Sequence, residues 1–253
     1  MPPIVPDLSE AYAKLERSRY HISDLEARIT AYLATDFYRL TIKPNERNGL
    51  MEVTFDSLHQ PDKQINALIG DAVSNLRSTL DYIVVALVAP ITGKPEACGF
   101  PFANDEKGFI GEVGSKRAFG HADAAVRQFI LDEVQAYKGG KGEALWVLNN
   151  LRNKDKHRLL VATASVAGVV LSFCDANGNT YRNMGCGIEA GQNSLLIRAP
   201  MNHIQFTDKP KLTFEILFEE PALIEHKPVA VFLNSVARNA QRILDAIQVG
   251  LGD

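Results

Sequence analysis

The chain has 253 residues, 46% hydrophobic and 23% charged, and its 27 Lys and Arg against 30 Asp and Glu leave a net charge of -3. This is ordinary globular composition, long enough to bury a core without disulfide or metal staples. It excludes a surface coated in basic charge for nucleic acid, while leaving room for a local basic patch. The cysteines Cys98, Cys174 and Cys186 are odd in number and form no Cys-x-x-Cys pair. That fits a reducing compartment, and neither a disulfide scaffold nor a zinc ribbon. Residues 1–8 lack the basic and apolar regions of a secretory leader, and the weakly polar run 159–173 is shorter than the roughly 18–20 residues of a spanning helix. The expectation is a soluble cytoplasmic protein without a membrane partner.

In chain order, Leu8, Ala11, Tyr12, Leu15, Ile22, Leu25 and Ile29 follow helical spacing and predict an amphipathic helix through residue 34. Residues 36–43 and 51–58 alternate apolar and polar around the turn-forming 44–49, which predicts an antiparallel hairpin. Pro61 opens the strongest helix, with Ile65, Ile69, Val73, Leu76, Leu80 and Ile83 on one face, and Pro90 is expected to end it. Residues 91–121 hold glycines at 93, 99, 108, 111, 114 and 120 and read as a long loop, either a meandering connection or a lid. Residues 122–137 and 143–157 return to helical spacing, separated by a glycine-rich break at 138–142.

From 159 the pattern changes to strands, at 159–173, 179–182, 195–199 and 212–218, with an Asn-Gly turn at 175–179. Pro228 opens a closing helix over 229–249. Helices and strands are segregated, which predicts α+β: about five helices in a bundle packed with an antiparallel sheet, mostly in the C-terminal half. The expected organisation is one domain over 1–253, helical at 7–158 with the early hairpin 36–58, β-rich at 159–220, and closed by the last helix.

No phosphate loop, dinucleotide fingerprint or nucleophile elbow is present, and six scattered histidines show no metal-ligand spacing. No cofactor and no metal are expected. Two segments carry chemistry. In 70–82, Asp71, Asn75, Ser78 and Tyr82 recur as one stripe, and Arg77 and Asp81 can pair at i, i+4. Asp, Asn and Ser are poor helix-interior residues, so this stripe is either a solvated face, a polar contact between helices or the wall of a pocket. In 138–158, six Lys or Arg face two acids, a local net of +4. Asn149, Asn153 and His157 share a face there. A histidine moves protons near neutral pH and an arginine holds phosphate charge with a planar fork. A plain alternative is an exposed helix end whose cations meet the negative pole of the helix.

These segments, Gly70 to Asp81 and Asp155 to Leu160, resemble the signature of a family of uncharacterised bacterial proteins. That signature is a Gly-Asp-x-x-x-Asn-Leu-Arg-Ser-x-Leu-Asp helix followed by Asp-Lys-His-Arg-Leu-Leu. The likeness extends to Lys-Leu-Glu-Arg at 14–17, Phe-Pro at 100–101 and Gln-x-Tyr at 135–137, and the chain departs from the pattern at Ser74 and Tyr82, where histidines are expected. It implies kinship and no particular chemistry.

Arg152 to His157 also resembles the Arg-x4–6-His motif of HEPN-type ribonucleases, including the polar residue after the Arg. That resemblance implies a helical bundle, often dimeric, that cleaves RNA without metal. It makes His157 the proton-transfer group, Arg152 the stabiliser of the pentavalent phosphorane and Asn153 a hydrogen-bonding neighbour. Along an ideal helix Arg152 and His157 sit about 140° apart, so they converge only where the helix ends or distorts, or where two subunits share a site. The site is expected between helix 61–89 and helix 143–158. Asp71, Asn75, Arg77, Asp81, Asn149, Lys156 and Arg158 would bind substrate, which is RNA, and the long terminal helices suit a homodimer. The rival reading is a non-catalytic module that binds a small anionic ligand or a protein partner in the same polar groove.

Overall fold

The computed structural model describes residues 6–47, 49–115, 117–156, 160–187, 195–200, 204–220, 223–224 and 227–249. Helix α1, Ser9–Leu33, buries Ala11, Leu15, Ile22 and Leu25 on one stripe. Strands β1, Tyr38–Asn45, and β2, Leu50–Ser57, form the expected antiparallel hairpin, with Tyr38 opposite Ser57 and Asn45 opposite Leu50. Helix α2, Lys63–Thr92, is N-capped by the Asp62 side chain, which accepts the Gln64 N–H. It is long and apolar enough to cross a membrane, by length and composition alone. Here Ile65, Ile69, Val73, Leu76, Leu80 and Ile83 are instead buried in the core shared with α1 and the later helices.

Pro90 does not end α2. A proline costs a helix its N–H bond to the carbonyl four residues back, and Pro90 forfeits that one bond without stopping the helix, which runs two residues further to Thr92. Gly93 stops the helix by taking the left-handed conformation, φ +68°, and donating its N–H to Ala89 O at 2.7 Å.

The glycine-rich 91–121 stretch is also more than a loop. It holds a 3-10 turn, Pro95–Ala97, and helix α3, Glu106–Val113, and it buries Phe100, Phe109, Val113 and Phe119 in the core. The helix expected over 122–137 is shorter. Helix α4, Ala124–Phe129, runs into a π-helical turn, Ile130–Val134, and Gln135 at φ +48° closes it. Helix α5, Glu143–Asp155, follows.

The β-rich part is antiparallel throughout. Strand β3, Ala162–Asp175, pairs with β4, Thr180–Gly187, with β6, Ile204–Phe206, and with β7, Lys211–Phe218. Strand β5, Leu195–Pro200, leaves this sheet and pairs with β2, completing a three-stranded sheet β1-β2-β5. Helix α6, Val229–Gln248, closes the chain, burying Phe232, Leu233, Val236, Ile243 and Leu244 against the bundle. The fold is α+β, with six α-helices among the described residues and most of the sheet in the C-terminal half.

Candidate functional site

Helices α2 and α5 pack together because each has an apolar stripe facing the core. On α5 it is Leu145, Leu148 and Leu151, spaced by three. The polar residues beside these stripes then meet. Arg77 Nε donates to Asn149 Oδ1 at 3.0 Å. The same guanidinium forms an ion pair with Asp81 and lies over the Phe102 ring, 4.5 Å from its centroid. Asp81 Oδ1 in turn accepts the Phe100 N–H at 2.9 Å. One arginine and one aspartate therefore tie together α2, α5 and the segment after the 3-10 turn. Nearby, the indole of Trp146 donates to Asn104 Oδ1 at 3.1 Å, a second link between α5 and that segment.

The expected substrate-binding set divides accordingly. Arg77, Asp81 and Asn149 are engaged with one another. Asn75 turns back on its own helix, where its Nδ2 donates to Asp71 O at 2.8 Å, and Thr79 Oγ1 donates to Asn75 O at 3.0 Å. This back-bonding disposes of a polar side chain inside a helix without a ligand. Only Asp71 of the α2 stripe is exposed and turned toward the end of α5, where its charge acts on Asp155.

The end of α5 is a second cluster. Gly70 lies directly against the Asp155 carboxylate: a Cβ on residue 70 would come within 2.7 Å of Asp155 Oδ1. A larger residue there would displace the carboxylate, so the glycine inside an otherwise strong helix marks a close approach. Burial raises Asp155 above the ordinary carboxylate range, and Asp71 adds to this. Arg152 and the Leu160 N–H, which bonds to the carboxylate, oppose it. Because Asp155 receives the Leu160 amide, the chain returns to the helix end within five residues. Two further contacts fix this end. Lys154 forms an ion pair with Glu220, which is only 4% exposed, just after β7. The Asn66 side chain of α2 accepts the Ala162 N–H at 3.1 Å where β3 begins.

Arg152 is half-buried here, while Asn153 and Lys156 are exposed. His157 and Arg158 lie outside the described residues. The basic run is less open than its count suggests, since Lys141 pairs with Glu133 and Lys154 with Glu220. Sequence reasoning missed Asp155 and Glu220 as partners. Gly70, a helix-breaking residue inside a helix, was the available signal for the first, and the 66-residue separation hid the second. Among the described residues no group of three His, Cys, Asp or Glu is placed to hold a metal ion.

Comparison with known proteins adds no relative: no family model, no curated protein and no solved structure matches this chain.

Proposed function

We propose that the chain is a HEPN-like protein of the cytoplasm that binds and cleaves RNA without metal, using the end of α5. The observation that supports this most is where α5 stops. It ends at Asp155, three residues after Arg152. Arg152 therefore stands in the last turn of α5, beside its C-terminal end. Asp155 then accepts the Leu160 N–H, which ties Leu160 to the helix that carries Arg152.

In this reading His157 takes the proton of an RNA 2′-hydroxyl, and the 2′-oxygen attacks the adjacent phosphorus. The bond from phosphorus to the 5′-oxygen breaks, that oxygen takes a proton from water, His157 returns its own proton to solvent, and the products are a 2′,3′-cyclic phosphate and a 5′-hydroxyl. Arg152 neutralises the charge that builds on the phosphorane oxygens. Asn153, Lys156 and Arg158 hold flanking phosphates and sugars. Arg77, Asp81 and Asn149 no longer contact substrate in this reading and become the frame that holds α5 on α2, while Asn75 is satisfied within its own helix. The same reading carries a second copy of the chain as partner, which sedimentation of the active species checks.

The test is cleavage of a mixed-sequence RNA in EDTA by the wild type, Arg152→Ala and His157→Ala. The expected result is cleavage by the wild type alone, with each variant slowed at least ~100-fold, the scale of a lost proton-transfer or charge-stabilising group. Equal cleavage by all three, or none by the wild type, refutes the enzyme reading. Salt-sensitive RNA binding without cleavage points instead to the non-catalytic module.

A further inference from the structure

The 91–121 segment frames a cavity of about 370 Å³ at the far end of α2, which nothing in the RNA reading uses. It sits at the lower end of the ~300–1,000 Å³ typical of small-molecule sites. Its wall is built, not improvised. Cys98 N–H bonds to Pro95 O at 3.1 Å, and Gly99 N–H bonds to Arg117 O at 2.9 Å, which joins the two sides of the cavity. Gly120 N–H bonds to Ser115 O at 2.9 Å, and a Cβ on residue 120 would lie 2.6 Å from two carbonyl oxygens. Behind this wall Phe100, Ala118 and Phe119 are buried in the core. The cavity is therefore held open by backbone hydrogen bonds anchored on core side chains.

The lining has two characters. Ile91, Ala97 and Cys98 give an apolar floor, and Ile91 is 58% exposed at its rim. Lys94, Arg117 and His121 converge on it from both sides, and none of the described lining residues is acidic. Glu96 is the charged group that acts on Cys98. In a chain of net charge -3 such a grouping is a local reversal of sign. The negative pole at the end of α2 has no basic residue in its last turn and accounts for one neighbouring cation, Lys94. It does not account for Arg117, which arrives from the opposite wall.

We propose that this cavity binds a small organic carboxylate, with its apolar body on Ile91 and Ala97 and its carboxylate between Lys94 and Arg117. A carboxylate matches the guanidinium fork and the lysine charge, and an apolar body matches the floor.

Cys98 lies in the lining and reports occupancy directly. The full chain is alkylated with iodoacetamide at about pH 9, where thiols react readily. Labelling of Cys98 is followed by peptide mass mapping, with Cys174, on β3, as internal reference. The probe is sodium hexanoate, with 1-hexanol as its uncharged counterpart. At ten times the half-protecting concentration, hexanoate is expected to slow Cys98 about tenfold and leave Cys174 unchanged, and hexanol at equal concentration is expected to protect much less. The Lys94→Gln/Arg117→Gln variant is expected to need at least ~10-fold more hexanoate, the scale of one charge-assisted hydrogen bond. If that variant accelerates Cys174 labelling, it has lost its fold, and Arg117→Gln alone decides. Absence of protection by hexanoate, equal protection by hexanol, or unchanged protection in the variants each overturns the proposal.

Discussion

Replacing Arg77 with alanine tests whether the mid-groove polar residues hold the fold or a ligand. Three contacts are lost together. The hydrogen bond from a charged donor to Asn149 is worth about 1.5–3 kcal/mol and leaves a partly buried amide unsatisfied. The ion pair with Asp81 has side chains 17% and 35% exposed and adds at most ~1 kcal/mol. Stacking on Phe102 adds ~0.5–1 kcal/mol. Freeing the long side chain returns up to ~2 kcal/mol of rotamer entropy. The net loss expected for Arg77→Ala is therefore about 1–3 kcal/mol, or roughly 3–10 °C in Tm for a chain of this length. Urea unfolding followed by Trp146 fluorescence reads it well, since the single tryptophan lies on α5 and donates to Asn104 in the same seam. A cycle with Asn149→Ala isolates the pair and is expected to give a coupling of ~1–2 kcal/mol. A loss below ~0.5 kcal/mol with no coupling, accompanied by weakened RNA binding, would falsify the framing role and return Arg77 to the substrate.

Further outcomes concern the end of α5. Gly70→Ala is expected to gain little in the wild type, because the new Cβ meets Asp155 at 2.7 Å, yet to stabilise an Asp155→Ala background by ~0.5–1 kcal/mol through helix propensity. Equal effects in both backgrounds contradict the contact. The pH dependence has a definite sign. Asp155 is raised by burial and by Asp71, so the folded state favours its protonated form. Its stabilising contribution is complete below the ordinary carboxylate value of 3.8 and is lost as pH rises through the higher folded value. The Tm difference between Asp155→Asn and wild type should therefore move in favour of the variant as pH rises from the ordinary carboxylate value of 3.8, and a flat difference argues against a raised Asp155. Lys154→Met is expected to cost about 2 kcal/mol. This is below the ~3–5 kcal/mol of a fully buried broken pair because Lys154 remains 36% exposed. An unchanged urea midpoint shows that Glu220 does not depend on it.

The elements legible in the sequence were those with strong local signals. Helices α1, α2 and α6 announce themselves by apolar spacing, and the β1–β2 hairpin and the 175–179 turn by their turn residues. At the latter, Gly178 takes φ +83° and Asp175 accepts the N–H groups of Asn177 and Asn179. What stayed hidden was non-local. The pairing of β5 with β2 joins residues nearly 150 positions apart, and no periodicity encodes it. Strand β6 is three residues long, too short for alternation to show. Residues 91–121 misled because glycine was read as looseness, whereas Gly120 serves close backbone approach. At the site, the i, i+4 pairing of Arg77 with Asp81 follows from spacing alone. The turn of Arg77 toward Asn149, and the seat of Asp155 on Gly70, depend on how two helices cross, which the sequence does not state.

The proposed function rests on transfer of a phosphoryl group from a 5′-oxygen to the adjacent RNA 2′-oxygen at the end of α5. The most direct measurement uses a DNA oligonucleotide carrying a single ribonucleotide, incubated in EDTA, with the product ends identified by mass. The account predicts one cut, 3′ to the ribonucleotide, leaving a 2′,3′-cyclic phosphate, and no cut in the all-DNA control. A cut in that control, a 3′-hydroxyl end, or an intact ribonucleotide-bearing strand would contradict it.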